Sequence, residues 1–371
     1  MKTENKNWIL IIVAIAVIAL IVVVAIQATK KSEPQTVKIG FITGITGTTS
    51  YLGVPDSRAV LLAEKKIKEM YGDDSIQVIV EDSKSDAKEA AVAANKLVQI
   101  DNVDVIFVEF TGPSGAVVPI AKDNNMFVLY SAYTTDPLTK YDYSVKTYRN
   151  AEAECTTFAK IAKSQGIEKI AILDGVGGAM PIDCQKGALN YYTQENIKVE
   201  SLVGVQDLKT VLLKLSNEGY YGLFSCAYEG TTIGVYTAKL DLELNNLVLF
   251  GDASNTFTDK IKTTIGTENL NGTVISVLKY SDTFTSDYNV EYGNTTGITG
   301  NAPTDYDGIF KLYSAVKKCG KADKVCITDA MLNDQATGTV INYNSSIGRA
   351  INPQVDYFII ENGEAVSLKI S

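Results

Sequence analysis

Histidine is absent from all 371 residues. That removes the commonest general base and the commonest nitrogen ligand for metals, so Ser-His-Asp, Cys-His and histidine-bearing zinc sites are all excluded. Carboxylate, lysine or tyrosine chemistry stays open, but an enzyme becomes the less favoured class. Cysteine is scarce and badly spaced for metal: Cys155, Cys184, Cys226, Cys319 and Cys326 include no C-x-x-C pair. No Gly-Lys-[Ser/Thr] phosphate loop occurs, which leaves nucleotide hydrolysis without support. Positive charge is also short. With 34 basic against 43 acidic residues the net charge is -9, and no basic stripe offers a nucleic-acid surface.

Hydrophobic residues make up 46% and charged residues 21%, as in ordinary globular chains, and the length predicts two domains. Trp8 to Ile26 is an unbroken apolar run of bilayer-spanning length, flanked by Lys2, Lys6, Lys30 and Lys31. It exceeds the usual signal-peptide core, and Ile26-Gln27-Ala28 matches a cleavage site poorly. No cysteine follows it for lipid attachment. The expectation is an uncleaved single-pass anchor over residues 1–35, embedded in the cell membrane, with the remainder extracellular or periplasmic. N-x-[Ser/Thr] triplets at Asn271, Asn294 and Asn344 agree with that side of the membrane, though chance also produces them.

From Val37 the patterning alternates. Strands are predicted at Val37–Phe41, Gln77–Val80, Val105–Val108 and Phe127–Tyr130, with helices at Pro55–Met70 and Asp86–Gln99. A structured hinge strand, Tyr141–Arg149, leads to a second series. Its strands are Ile170–Leu173, Ile197–Leu202, Gly222–Cys226 and Leu247–Phe250, and its helices lie near Glu152–Lys163, Pro181–Thr193, Leu208–Glu218 and Thr231–Leu240. Strands separated by helical crossovers imply parallel, doubly wound α/β sheets, here in two halves. The last hundred residues hold strand Thr273–Val277, helices Thr304–Lys318 and Ile327–Leu332, and strands Thr339–Tyr343, Asp356–Ile360 and Ala365–Ile370. They are too few for a third core and are expected to complete the two lobes. The domain expectation is therefore 36–148 plus 276–334 for the first lobe and 149–275 plus 335–371 for the second.

Val105–Thr139 is the stretch richest in site signals. Thr111-Gly112-Pro113-Ser114-Gly115 follows a strand and opens a helix, whose free N–H groups and positive dipole end suit a carboxylate. Ser131-Ala132-Tyr133-Thr134-Thr135 follows the next strand and adds hydroxyls at the same sheet edge, where open α/β sheets bind ligands. Plain helix capping explains the same residues, and the local sequence leaves both readings open. Among the cysteines, Cys319 and Cys326 flank a short connection and suit a local bridge, Cys155 and Cys184 lie on successive helices, and Cys226 reads as a buried thiol. Five unpaired thiols remain the alternative, since sequence does not fix connectivity.

Six segments in order resemble the leucine/isoleucine/valine-binding family, the type I solute-binding proteins of ABC transporters. Lys38-Ile39-Gly40-Phe41 with Thr46-Gly47 through Gly53 resembles the family's opening strand and turn. Glu81-Asp82-Ser83-Lys84-Ser85-Asp86 and the Ala-rich helix after it resemble the second βα unit. Phe127–Thr139, Tyr148-Arg149-Asn150, Tyr306-Asp307-Gly308, and Thr337 through Gly348 with Tyr357–Ile360 resemble later family motifs. The resemblance implies two Rossmann-like lobes joined by three crossover strands, with ligand in the cleft between them. It places Thr111, the backbone of Ala132, and Thr134 at a ligand α-carboxylate, with Ser114 a further hydroxyl. Tyr51 and Tyr228 become aromatic ligand contacts, and Asp252 the acidic partner of an α-ammonium. Glu229 is a rival acid. Tyr133 is a bulky addition, and Gly175-Val176-Gly177-Gly178 replaces an aromatic-bearing cleft turn.

The expected function is thus extracellular capture of a small polar ligand, a branched-chain or other amino acid or amide, by hinge closure. Delivery would be to an ABC permease in the membrane. No cofactor, metal or nucleic acid is expected. A ligand-sensing receptor ectodomain without a transport role is the alternative, and an enzyme on the same fold the third class.

Overall fold

The structure, a computed structural model, describes residues 36–293, 300–320, 323–333, 340–343 and 348–369. The expected anchor over residues 1–35 and the triplets at Asn294 and Asn344 lie outside the described residues. Among the described residues, no helix is long and apolar enough to cross a membrane. Asn271 is exposed, with its side-chain oxygen accepting the Gly363 N–H at 3.0 Å.

The first half alternates strands β1 (Val37–Thr43), β2 (Ile76–Asp82), β3 (Val105–Glu109), β4 (Val128–Ser131) and β5 (Ser144–Thr147) with helices α1 (Ser50–Tyr71), α2 (Ala87–Gln99), α3 (Thr111–Asp123) and α4 (Asp136–Lys140). All its strand pairs are parallel, in the order β5-β4-β3-β1-β2. Alternate side chains supply two cores, one on each face. Phe41, Phe107 and Leu129 pack on one side with Ala59 and Ile309, while Ile42, Val108, Val128 and Tyr130 pack on the other with Ala94, Leu97 and Val118. That two-sided burial is what a parallel sheet requires.

The second half repeats the plan with α5 (Ala151–Ser164), β6 (Ile170–Asp174), α6 (Met180–Ala188), β7 (Ile197–Ser201), α7 (Leu208–Asn217), β8 (Gly222–Cys226), α8 (Glu229–Asp241), β9 (Val248–Asp252), α9 (Ala253–Thr256), α10 (Asp259–Ile265) and β10 (Val274–Leu278). The chain then returns to the first lobe through α11 (Asp282–Tyr292), α12 (Ala302–Cys319), α13 (Lys324–Asn333) and β11 (Ala350–Ile351), and crosses once more to β12 (Val355–Glu361) and β13 (Glu364–Ser367). The second sheet runs β13-β12-β10-β9-β8-β6-β7, with β12 antiparallel to its neighbours. Two doubly wound lobes with three chain crossings are the architecture expected.

Several details differ. The first helix starts at Ser50, a turn before the expected Pro55. Proline is favoured at helix starts, yet Pro55 is the sixth residue of this helix, where it leaves the Tyr51 carbonyl without its i→i−4 donor. Gly53 permits this entry, because a Cβ there would lie 2.3 Å from the Gly44 carbonyl oxygen. The domain boundaries also move. Strand β10 runs to Leu278 within the second sheet, so 276–278 do not belong with the first lobe. Conversely, β11 pairs with β5, and the Val340 and Ile341 amides donate to Asp307 of α12 at 2.7 and 2.9 Å. Residues 340–341 and 350–351 are therefore first-lobe, not second. A two-residue edge strand carries too little pattern to be read. The strand expected at Thr339–Tyr343 is reduced, over its described residues, to isolated bridges at Ile341 and Tyr343. The helix Asp282–Tyr292, not anticipated from the sequence, closes one side of the first-lobe core with Phe284 and Tyr288.

The structure joins Cys155 to Cys184 and Cys319 to Cys326, with Cα atoms 5.1 and 5.6 Å apart, and leaves Cys226 a buried thiol.

Candidate ligand-binding cleft

The carboxyl ends of β3 and β4 in one lobe and of β8 and β9 in the other face a single cavity. Its walls include Phe110, Thr111, Ala132 and Tyr133 from the first lobe and Tyr228 and Asp252 from the second. The space open to the centre of a water-sized sphere is ≈ 60 Å³, several times the ~10–15 Å³ that one water needs. The lining is mostly apolar, with Phe158, Phe224, Val176 and Met180 beside the Cys155 bridge.

The first-lobe wall presents the start of α3. Phe110, the residue before it, is a non-glycine with φ 65° and ψ 153°, a sparsely populated conformation that costs about 1–3 kcal/mol. Its side chain lines the cavity, and no side chain caps the helix behind it. The Thr111 and Gly112 amides are thus left at the cavity edge with the positive helix end. The Thr111 hydroxyl is half-buried there.

The second-lobe wall is built around Arg149. This residue is 2% exposed and forms ion pairs with Asp252 and, at 3.7 Å, with Glu154. Its guanidinium also donates to the Ser276 hydroxyl at 3.0 Å and to the Tyr148 hydroxyl at 3.2 Å, and lies over the Tyr133 and Tyr148 rings. Asp252 is saturated. Besides Arg149 it accepts from the Tyr133 hydroxyl at 2.8 Å, the Ser254 amide at 3.0 Å, the Ser254 hydroxyl, and Asn255 at 3.3 Å. It cannot also serve a ligand ammonium without losing a partner. Glu154 differs: one oxygen accepts from Ser276, while Oε2 is buried with no hydrogen-bond donor. Burial pushes the Glu154 carboxyl up, against the pull of Arg149.

Hydrogen bonds cross between the lobes around this cavity. The Tyr51 hydroxyl donates to Asn255 and accepts the Glu229 N–H at 3.1 Å. Thr134 donates to Asp183 of α6 at 2.9 Å, and Tyr133 reaches Asp252 as above. The lobes are therefore held together in a closed arrangement.

Of the expected contacts, Thr111, Ala132, Tyr133, Tyr228 and Asp252 line the cavity, while Tyr51, Ser114 and Thr134 do not. Tyr51 and Thr134 act as lobe-to-lobe bridges. Ser114 is buried within α3, one turn beyond the cavity edge, with its hydroxyl unpartnered. Glu229 is buried with its carboxylate paired to Lys260 at 3.3 Å, only its N–H reaching Tyr51, and it does not line the cavity. Val176 of the glycine-rich turn lines it. Sequence reasoning missed Glu154, Arg149 as a site residue, and Asn301. Glu154 sits in Ala-Glu-Ala-Glu-Cys, which reads as a solvated helix face, so only the fold exposes its role. Arg149 carried a readable signal, because a lone arginine after a hinge strand is rarely buried without a partner.

A family model described as "Periplasmic binding protein" matches residues 36–356. The chain is 23% identical over 312 residues to Leu/Ile/Val-binding protein homolog 6 of Brucella melitensis, covering 79% of each chain. Among solved structures, a leucine-binding protein from Thermotoga maritima is similar with a TM-score of 0.75 at 18% identity, covering 90% of this chain and 98% of that one. The branched-chain amino acid transporter substrate-binding protein of Streptococcus pneumoniae, in complex with isoleucine, matches with a TM-score of 0.74 at 16% identity over 90% and 99%. An ABC transporter solute-binding protein from Rhodopseudomonas palustris, in complex with 4-hydroxybenzoate, gives 0.75 at 19% identity over 90% and 96%.

Proposed function

Because the chain belongs to the periplasmic binding protein family, we propose that it is the solute-binding component of an ABC transporter, capturing a small carboxylate ligand between its lobes. A member of this family binds rather than transforms its ligand. The observation that carries the reading is the single apolar cavity closed by cross-lobe bonds from Tyr51, Tyr133 and Thr134. Such bonds exist only when the lobes meet, so ligand and lobes together stabilise closure. The apolar N-terminal run would hold the binding domain at the outer membrane face, beside the permease it supplies.

The ligand class follows from the two walls. A carboxylate suits the Thr111 and Gly112 amides and the Thr111 hydroxyl. An apolar body suits Phe158, Phe224, Val176 and Met180. For an amino acid, a branched-chain one in the first instance, the ammonium would meet Glu154 Oε2 rather than Asp252, whose acceptor sites are filled. That filling also favours a second reading: a simple organic acid lacking an ammonium, as in the relative that carries 4-hydroxybenzoate.

Calorimetry with leucine, isoleucine and valine beside their 2-keto acids and benzoates separates the two. Binding of amino acids, weakened about tenfold by Thr111→Ala, supports the first reading; binding of the acids alone supports the second. No binding by any small carboxylate overturns both.

A further inference from the structure

On the first-lobe side of the cleft, three carboxylic side chains meet where no lysine or arginine among the described residues balances them. Asp56 of α1, Glu109 at the end of β3 and Asp305 of α12 are all fully buried, and each contributes an oxygen within 4.8 Å of the others. Both oxygens of Asp56, both of Asp305 and Oε2 of Glu109 lack a hydrogen-bond donor. Among the described residues none of the three forms an ion pair with lysine or arginine. The Asn301 side-chain amide donates to Glu109 Oε1 at 2.7 Å, and the Asn301 and Ala302 backbone N–H groups at the start of α12 lie toward Asp56.

Sheet geometry adds a second, independent observation. Phe41, Phe107 and Leu129 form an apolar row on one face of three neighbouring strands. Two residues further along, the same face carries Thr43, Glu109 and Ser131, the last residues of β1, β3 and β4. The register places Glu109 opposite Ser131. The Thr43 and Ser131 hydroxyls are completely buried and also lack a hydrogen-bond partner. Thr43 sits against Gly53, one turn of α1 before Asp56, with its hydroxyl turned toward Glu109, and that of Ser131 is turned toward Asp305. Five oxygen-bearing side chains, from three strand ends and two helices, thus converge on one spot.

We propose that Asp56, Glu109 and Asp305, with the hydroxyls of Thr43 and Ser131, form a calcium site beneath the first-lobe wall of the cleft. Oxygens held within 4.8 Å of one another fit around a cation at bond lengths of about 2.3–2.6 Å, since opposite ligands then lie roughly 4.6–5.2 Å apart. Three carboxylates and two hydroxyls give five oxygens, and one bidentate carboxylate completes six, the lower bound for calcium. The all-oxygen set disfavours zinc and copper. Magnesium keeps its waters and demands strict octahedral geometry, which a dry site between three packed elements does not offer. A monovalent ion would leave two negative charges unbalanced in the interior, a divalent ion one. Ser131 and Asn301 also line the cleft, so the open lobes provide an entry path and the ion would stiffen the wall that receives the ligand.

The alternative is that the carboxyls simply hold protons, as burial and mutual repulsion both favour. The full chain, stripped with EDTA and titrated with CaCl2 at pH 7.5 without any cleft ligand, decides between them. Calorimetry should count one calcium per chain, and saturation should raise Tm by roughly 5 °C. A tenfold excess of magnesium should not displace it. The Asp56→Asn/Asp305→Asn variant should lose both heat and shift, with a melt indifferent to EDTA. Absence of heat and shift in the wild-type chain would overturn the site, as would an undiminished response in the variant or a preference for magnesium. Should the variant not fold, the wild-type titration and the magnesium competition still decide. Because no cleft ligand is present, failure here leaves the transport reading untouched.

Discussion

The cleft is flanked by two buried acidic groups of unlike construction. On the second-lobe side, Asp252 and Glu154 share Arg149, which comes from the hinge and lies over the Tyr133 and Tyr148 rings. On the first-lobe side, Asp56, Glu109 and Asp305 have hydroxyls and amides but, among the described residues, no cationic side chain. Buried carboxylates need compensation because desolvating each ion costs several kcal/mol. The second lobe meets that need from its own chain; the first leaves it to protons or to a divalent cation. Substitution should therefore act with opposite sign on the two sides. Arg149→Met strands two acids and should cost about 3–5 kcal/mol, read as the loss in urea unfolding free energy. In cation-free protein, Asp305→Asn removes a repulsion and should leave stability unchanged or raised. Equal losses from both would erase the contrast.

How much of this was legible in the sequence follows the same division. The two lobes were readable because each parallel strand is a short apolar run between helical patterns, and burial on both faces makes that signal strong. The crossing after β10 was misplaced by about three residues and the one after β11 by about seventeen, since a two-residue strand such as Ala350–Ile351 has no periodicity. Thr111, Ala132 and Tyr133 line the cavity and were legible because they follow strand ends at a sheet edge. Asp252 lines the cavity as well, but its pairing with Arg149 was not legible, because that ion pair spans about a hundred positions that only the hinge brings together. Asp56 and Asp305 lie on helices whose acids ordinarily face water, and nothing local marks them as buried.

The next largest effect should be a pH dependence at the hinge. Lys146 of β5 is completely buried, donating to the Tyr148 and Arg149 carbonyls at 2.5 and 2.7 Å. Burial draws its ammonium from 10.5 down to about 7, only partly offset by Asp183 and Glu154. A lysine with a depressed folded pKa binds more protons when unfolded, so stability should rise with pH from about 7 to about 10.5. The slope is at most about 1.4 kcal/mol per pH unit. Lys146→Met should flatten it in that window. A wild-type slope that survives the substitution would place the titration elsewhere.

A smaller effect separates the two acids of the second lobe. Glu154→Gln should weaken an amino-acid ligand by about 1.5–3 kcal/mol, roughly 10–100-fold, if its free oxygen takes the ammonium. Asp252→Asn should act mainly on stability, since its carboxylate answers Arg149. If Asp252→Asn abolishes binding at unchanged stability while Glu154→Gln does not, the assignment of roles is reversed.

The smallest expected change tests the contact that joins the walls. The Tyr133 hydroxyl reaches across the cleft to Asp252 at 2.8 Å, while its ring rests against Tyr148 and Arg149 within its own surroundings. Tyr133→Phe keeps the ring and removes one hydrogen bond, which Asp252 can spare because Arg149, Ser254 and Asn255 remain. Global stability should therefore fall by no more than about 1 kcal/mol. The loss should appear instead in the balance of open and closed forms, since this bond is absent when the lobes part. Small-angle scattering of the ligand-free variant should show a larger radius of gyration than wild type, and saturating ligand should restore the closed value. An unchanged radius would mean that Tyr51 and Thr134 hold the lobes without it, and that the second-lobe cluster is a foundation for the cleft rather than part of its latch.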